Sequence, residues 1–213
     1  MGNVFFKPWV GKEYGNPTAF PKKIMALGES HHCNDLDKKN CSLDKCLKQP
    51  IECQSFTQNV VKSYLSEQDT YERWYITFRK FEQALSGRKL KDEEREKYWN
   101  SLLFYNYTQV PMEHPNQRPN NEQIKYSERG FLEVLDQYKP EIIITWGRNI
   151  FDAISNSKKQ IFVTINILDK VVKLPTFEFD LPGDKKCIVF PTYHPASPRF
   201  SPIYWNKIIK SFM

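Results

Sequence analysis

The sequence predicts an α/β domain: a three-layer α/β/α sandwich around a central four-stranded, mainly parallel sheet, with a β-hairpin at one edge. Three observations lead there. Four short, almost wholly apolar runs, at residues 23–27, 102–106, 141–147 and 187–192, have the length of buried strands. Stretches with helical spacing of apolar residues lie between them, and uniformly apolar strands alternating with helices form parallel sheets covered on both faces. Two alternating runs, 161–168 and 171–179, flank Asp169-Lys170 and read as the hairpin.

In chain order, residues 1–21 hold Pro8, Gly11, Gly15, Pro17 and Pro21 and read as an irregular N-terminal arm carrying aromatics, leaving 22–213 as one domain. The first strand stops at Gly28. Residues 30–55 have little periodicity and read as a long loop. Helical spacing returns over 56–65 and 70–85, whereas 90–99 is charged and fits either a short helix or a solvated turn. The second strand ends in Asn106, and a loop through Pro111, Pro115 and Pro119 follows. Residues 127–138 are amphipathic and stop before Pro140, which cannot continue a helix. The run 141–147 is the clearest strand and leads into a helical segment over 149–155. The last strand, 187–192, runs directly into His194.

Composition sets the outer limits. A chain of 213 residues buries a core without disulfide staples, and 40% hydrophobic with 15% aromatic residues excludes a disordered chain. No run approaches the ~18 apolar residues of a membrane span, and no charged-then-apolar leader is present. A soluble, cytoplasmic monomer without membrane contact is therefore expected. The net charge of +6 is compatible with a polyanionic partner but does not require one. Cys33, Cys41, Cys46 and Cys53 fall close together, with Cys187 far away. Without a secretory signal they do not read as a disulfide framework. Their spacing contains no C-x-x-C pair, so zinc held with neighbouring His and simple buried or free thiols both stay open; no metal ligand is assigned.

The functional signal is where the strands end. Ligands of such sheets bind beyond the carboxyl ends of the strands, and those ends here are Gly28-Glu29-Ser30-His31, Asn106, Trp146-Gly147 and His194-Pro195. A carboxylate can orient or deprotonate a water, a carboxamide can read an amide edge with its acceptor and donors, and a neutral imidazole can donate to an oxygen that gains charge. Each has an ordinary reading as well: Asn ends strands as a turn residue, His-Pro is common in loops, and Glu after Gly caps helices. The ordered set is what points to a site.

These motifs, in this order, resemble the uracil-DNA glycosylase superfamily, most of all its bacterial and archaeal branches with a Gly-Glu motif. Gly28-Glu29-Ser30-His31 stands where those branches carry Gly-Glu-x-Pro-Gly. The segment from Asn106-Tyr107-Thr108-Gln109-Val110-Pro111 through Asn116-Gln117-Arg118-Pro119 to Glu122 resembles their T-N-V-V-K-C-R-P-P…N-R-x-P…E stretch. Residues 140–147 resemble a P-x-V-I-V-x-L-G strand, and Pro191-Thr192-Tyr193-His194-Pro195 a P-T-x-H-P-S motif. The resemblance covers about residues 22–213 and implies a uracil-DNA glycosylase-like fold. It implies that Glu29 and His194 are catalytic, the first at the water and the second at the leaving base. It places Asn106, with Gly28, Ser30 and His31, at the base. Pro195, Ser197 and Arg199 would meet DNA from which the target nucleotide is flipped or single-stranded. Arg199, Lys207 and Lys210 fit phosphate contacts, and equally a solvated helix end.

Several departures stand out, and where the family has His-Pro-Ser this chain has His194-Pro195-Ala196-Ser197-Pro198. Ser30, His31 and His32 replace the Pro-Gly pair after Glu29, and the base-stacking aromatic has no evident counterpart, Phe56 being the nearest. The Cys of the family's K-C-R-P segment, an iron–sulfur ligand, is absent from Gln109-Val110-Pro111, so no cluster is expected. Two function classes follow: an enzyme hydrolysing the N-glycosidic bond of uracil or another deaminated base, or a catalytically weak or inactive nucleic-acid or nucleobase-binding module on the same fold.

Overall fold

The structure is a computed structural model and describes residues 2–32, 51–66, 72–112, 117–155, 158–167 and 170–213. It is a mixed α/β fold built on one seven-stranded sheet. In chain order the strands are β1 (Trp9–Val10), β2 (Ile24–Gly28), β3 (Leu102–Asn106), β4 (Ile142–Trp146), β5 (Ile161–Ile167), β6 (Lys170–Leu181) and β7 (Lys185–Thr192). The helices are α1 (Ile51–Gln54), α2 (Phe56–Ser66), α3 (Tyr75–Ser86), α4 (Asp92–Asn100), α5 (Asn121–Tyr138), α6 (Arg148–Ser155) and α7 (Pro202–Phe212). The strand order is β1-β3-β2-β4-β7-β6-β5.

The four apolar runs form the centre of the sheet, β3-β2-β4-β7, and pair in parallel. Every residue of β2, β3 and β4 is buried, because helices cover both faces. Alternation sends Ile24, Ala26, Phe104, Ile144 and Phe190 into one core with α2, α3, α4 and α7. Met25, Leu27, Tyr105, Ile143 and Val189 enter a second core with α5 and α6.

The expectation of a four-stranded sheet is corrected to seven strands. The hairpin β5–β6 does form at the edge, but β6 is long enough to pair antiparallel with β7 as well, Phe177 opposite Val189 and Leu181 opposite Lys185. At the opposite edge β1 pairs antiparallel with β3; two residues are too few to show a period of two. Residues 9–13 thus run along the β3 edge. Gly11 N donates to Leu102 O at 2.9 Å, Trp9 Nε1 to Trp99 O at 2.8 Å, and Phe5 and Phe6 are buried against Cys53 and Phe56.

Helix ends follow local chemistry. Asn120 Oδ1 accepts from Gln123 N, and Gln123 Oε1 accepts from Asn120 N, each at 2.9 Å, a capping box that starts α5 six residues before the amphipathic stretch visible in the sequence. The helix stops at Lys139, left-handed at φ 48°, ahead of Pro140. The charged run at 90–99 is a helix, α4, with Asp92, Glu93 and Glu94 in its first turn.

Register decides where the strands finish. Gly28 lies opposite Asn106 and Leu27 opposite Thr145, while Trp146 lies opposite Thr192. Four carboxyl-terminal tips therefore end at one level on one side of the molecule.

Candidate active site

The tips open into a cleft of about 720 Å³, within the range of small-molecule sites. Gly28, Glu29, Ser30, His31, Asn106 and His194 all line it. The lining also includes His32, Arg118 and the aromatic residues Phe56, Trp74, Phe78, Phe104 and Trp146. Pro195, Ser197 and Arg199 do not line the cleft. They continue the chain past His194, with Pro195 buried and Arg199 exposed.

Pairing of β2 with β3 carries on past the strand ends and holds two loops side by side. Tyr107 N donates to Gly28 O and Thr108 N to Glu29 O, both at 2.9 Å, and Met112 N donates to His31 O at 2.7 Å. Glu29 is half-buried at this seam. Desolvation raises its pKa above the usual carboxylate value, and the positive charge of Arg118 acts in the opposite direction.

Asn106 is 7% exposed and held from two sides. Its backbone carbonyl accepts from Gln109 Nε2 at 2.9 Å, and its side-chain Nδ2 lies 3.1 Å from His31 Nδ1. Gln109 Oε1 in turn accepts from Phe6 N at 2.8 Å, so one glutamine fastens the N-terminal segment to the strand tip. His31 Nε2 lies 2.8 Å from Thr57 Oγ1, in a slot between the rings of Phe6 and Phe56. Burial holds the His31 pKa down at about 3, with His32 adding to the effect, so the ring is neutral.

His194 stands on the other side of the cleft. Its ring is open along the cleft wall, yet it is surrounded by enough protein that desolvation lowers its pKa, and His32 lowers it further. Its Nδ1 accepts from Ala196 N at 3.2 Å, which leaves the proton of the neutral ring on Nε2. Trp146 meets the imidazole edge-on at 6.3 Å. The loop closes on itself through Ser197 N to His194 O at 2.7 Å and is tied to α3 by Lys80 Nζ to Ser197 O at 3.3 Å.

Thr57, Trp74, Thr77, Phe78, Gln109 and Arg118 belong to the site or its supports, and sequence reasoning gave them no role. Trp74 and Phe78 have the i, i+4 spacing of an ordinary apolar helix face, and Thr57 sits among core positions of α2. Phe56 does reach the cleft. The reading of Cys33, Cys41 and Cys46 as zinc ligands or thiols lies outside the described residues. Cys53 is a half-buried free thiol and Cys187 a buried one. Among the described residues no group of three or more His, Cys, Asp or Glu side chains is placed to hold a metal, and no helix is long and apolar enough to cross a membrane. No protein-family model matches the chain, and a search of curated proteins found no significant match.

Proposed function

We propose that this chain is a uracil-DNA glycosylase-like protein that hydrolyses the N-glycosidic bond of a flipped uracil, or another deaminated base, in DNA. The observation that carries the reading is the convergence of Glu29, Asn106 and His194, from three separate strand tips, on one cleft with room for a flipped nucleotide. Helices on both faces of the parallel centre of the sheet support the three-layer α/β/α arrangement of that fold.

The chemistry assigns itself to the groups present. The bond from the sugar anomeric carbon to the base nitrogen breaks, and its electron pair leaves with the base, which becomes an anion. His194 donates its Nε2–H to the base oxygen on which that charge settles. Such a donor, fixed in place before the reaction, stabilises developing charge without reorganisation. A water attacks the cationic sugar carbon and gives up its proton to the Glu29 carboxylate. Asn106 reads the amide edge of the base, the aromatic wall stacks on its faces, and the segment from Pro195 to Arg199 lies against the DNA. The nucleotide has to leave the helical stack for any of this to happen.

The test uses uracil-containing single- and double-stranded oligonucleotides, scored for alkali-labile sites. Cleavage by the wild type should fall at least ~100-fold in Asn106→Ala and in His194→Ala, the scale of one lost transition-state donor. No cleavage of uracil, hypoxanthine or xanthine substrates, together with retained salt-sensitive binding, would replace the enzyme with a nucleic-acid-binding module on the same fold.

A further inference from the structure

We propose that the cleft has a second subsite at its rim on α2 and α3, where Trp74 stacks on the base next to the one held at the strand tips, in single-stranded DNA. The proposal rests on the nucleobase reading of the cleft.

The lining divides by origin. Glu29, Asn106 and His194 come from the strand tips, whereas Val60 belongs to α2 and Trp74, Thr77 and Phe78 to the start of α3. None of the four motifs that carry the resemblance includes a residue of this second group. Phe78 and Trp146 are each 5% exposed and Phe104 2%, so those rings form a closed floor. Trp74 is 36% exposed, and among the described residues no other exposed large apolar side chain lines the cleft. Its indole is nonetheless held in place, T-shaped against Tyr75 at 4.3 Å and Phe78 at 5.4 Å between ring centroids. Phe78 meets Trp146 at 5.6 Å, and Trp146 meets His194 at 6.3 Å. A continuous line of rings therefore joins the rim to the catalytic side of the cleft.

A cleft of about 720 Å³ suits a drug-sized ligand, and one pyrimidine ring fills only part of it. A base that enters it brings its neighbour along, because a single phosphate joins the two nucleotides. The neighbour then lies at the mouth of the cleft. In a single strand it has an uncovered face, and an indole kept half in water gains by covering it. Stacking of this kind tolerates any sequence, since every base has a π-face. In a duplex the next base pair already covers that face. The charge at the mouth fits the same ligand. Glu29 is the one carboxylate among the described lining residues, and Arg118 sets an exposed guanidinium beside the cleft. With +6 on the chain, the phosphates on either side of the stacked base meet a favourable field.

The test reads binding by the full chain and needs no turnover. One probe is a labelled single strand of about 11 thymidines, within the span of one single-strand site, with a tetrahydrofuran abasic analogue at its centre. A second probe carries the analogue at both flanking positions as well, so the phosphates stay and the neighbouring bases are gone. Fluorescence anisotropy should show the wild type binding the first probe about 10- to 100-fold more tightly, the worth of one stacked base. Trp74→Ala should bind the two probes within about twofold of each other, and Trp74→Phe, with a smaller ring, should fall between. Each protein is compared with itself across the probes, so a general loss of affinity does not imitate the result. A wild type indifferent to the flanking bases, a wild type that binds neither probe, or full discrimination kept by Trp74→Ala overturns the proposal. Uracil cleavage is scored separately. Trp74-dependent stacking without cleavage removes the glycosylase reading and keeps the subsite, whereas cleavage without dependence on the flanking bases removes the subsite alone.

Discussion

Gly28 is the residue on which the seating of Asn106 depends. A Cβ at position 28 would lie 2.0 Å from Asn106 Oδ1, so any side chain there displaces the carboxamide. Gly28→Ala should leave the thermal midpoint within a few degrees of wild type, yet lower cleavage about 100-fold, the usual effect of misplacing a reacting group by an ångström. Activity that survives the substitution would remove Asn106 from the reaction. In the proposed reaction, Glu29 sets function against stability. Its pKa in the fold is raised, so the folded state holds this proton more tightly than the unfolded one. The associated stability is complete below the unfolded pKa and disappears as pH rises through the folded value. At pH 7 the ionised carboxylate therefore works against the fold, and Glu29→Gln should melt higher than wild type at pH 7, with no gain at pH 4, while losing turnover. The acid limb of the rate profile should carry the same signature. His194 is neutral above a pKa lowered from 6.5, so Glu29 and His194 both reach their working forms as pH rises. Arg118→Gln removes the charge that lowers the Glu29 pKa and should move the acid limb to higher pH. An unmoved limb would mean that Glu29 is not the group being titrated.

At the scale of elements, the wall opposite the strand tips is held by one buried carboxylate. Glu82 of α3 accepts from Tyr64 Oη of α2 and from Trp99 Nε1 of α4, both at 2.8 Å. Arg95 of α4 lies 3.5 Å from its second oxygen. Three helices thus meet at a side chain that is 2% exposed. Those helices carry Phe78 and, at the start of α2, Phe56 and Thr57. Glu82→Ala leaves two buried donors unpaired and takes from Arg95 one of its two carboxylates, Asp92 remaining, and should lower unfolding free energy by about 3–5 kcal/mol, the cost of breaking a buried pair from one side. Chemical denaturation reads this directly, and a loss under 1 kcal/mol would show that the helices are held by apolar packing alone. The sequence made α2 and α3 legible through their apolar spacing, and the observed Phe56–Ser66 and Tyr75–Ser86 follow it. Glu82 was not legible, because a charged residue inside an amphipathic helix reads as part of the solvated face. Nor was the start of α5, whose capping box lies ahead of any apolar repeat.

For the whole molecule, charge and topology bear on the same end of the sheet. The net charge of +6 acquires a use if DNA lies along the segment from Pro195 to Arg199. Binding of a uracil-containing duplex should then weaken linearly in log K against log salt, with a slope reduced by roughly 1 for each phosphate contact removed. Arg199→Gln should lower that slope, and a salt-independent affinity would rule out a backbone contact. What the sequence determined by itself were the parts set by local pattern. The runs that form the centre of the sheet are mostly apolar because helices cover both faces, the two hairpin strands show in the sequence as separate runs around a turn, and the chemistry-bearing tips follow directly from where the central strands stop. Tertiary structure alone decided the rest, because it brings together groups distant in sequence. Pairing of β6 with β7 and of β1 with β3 enlarged the sheet to seven strands, and no local periodicity encodes a partner. Phe6 reaches Gln109 across 103 residues, and Thr57 and Asn106 meet on either side of His31. Register set four strand ends level, and only that levelling turned three separated residues into one site.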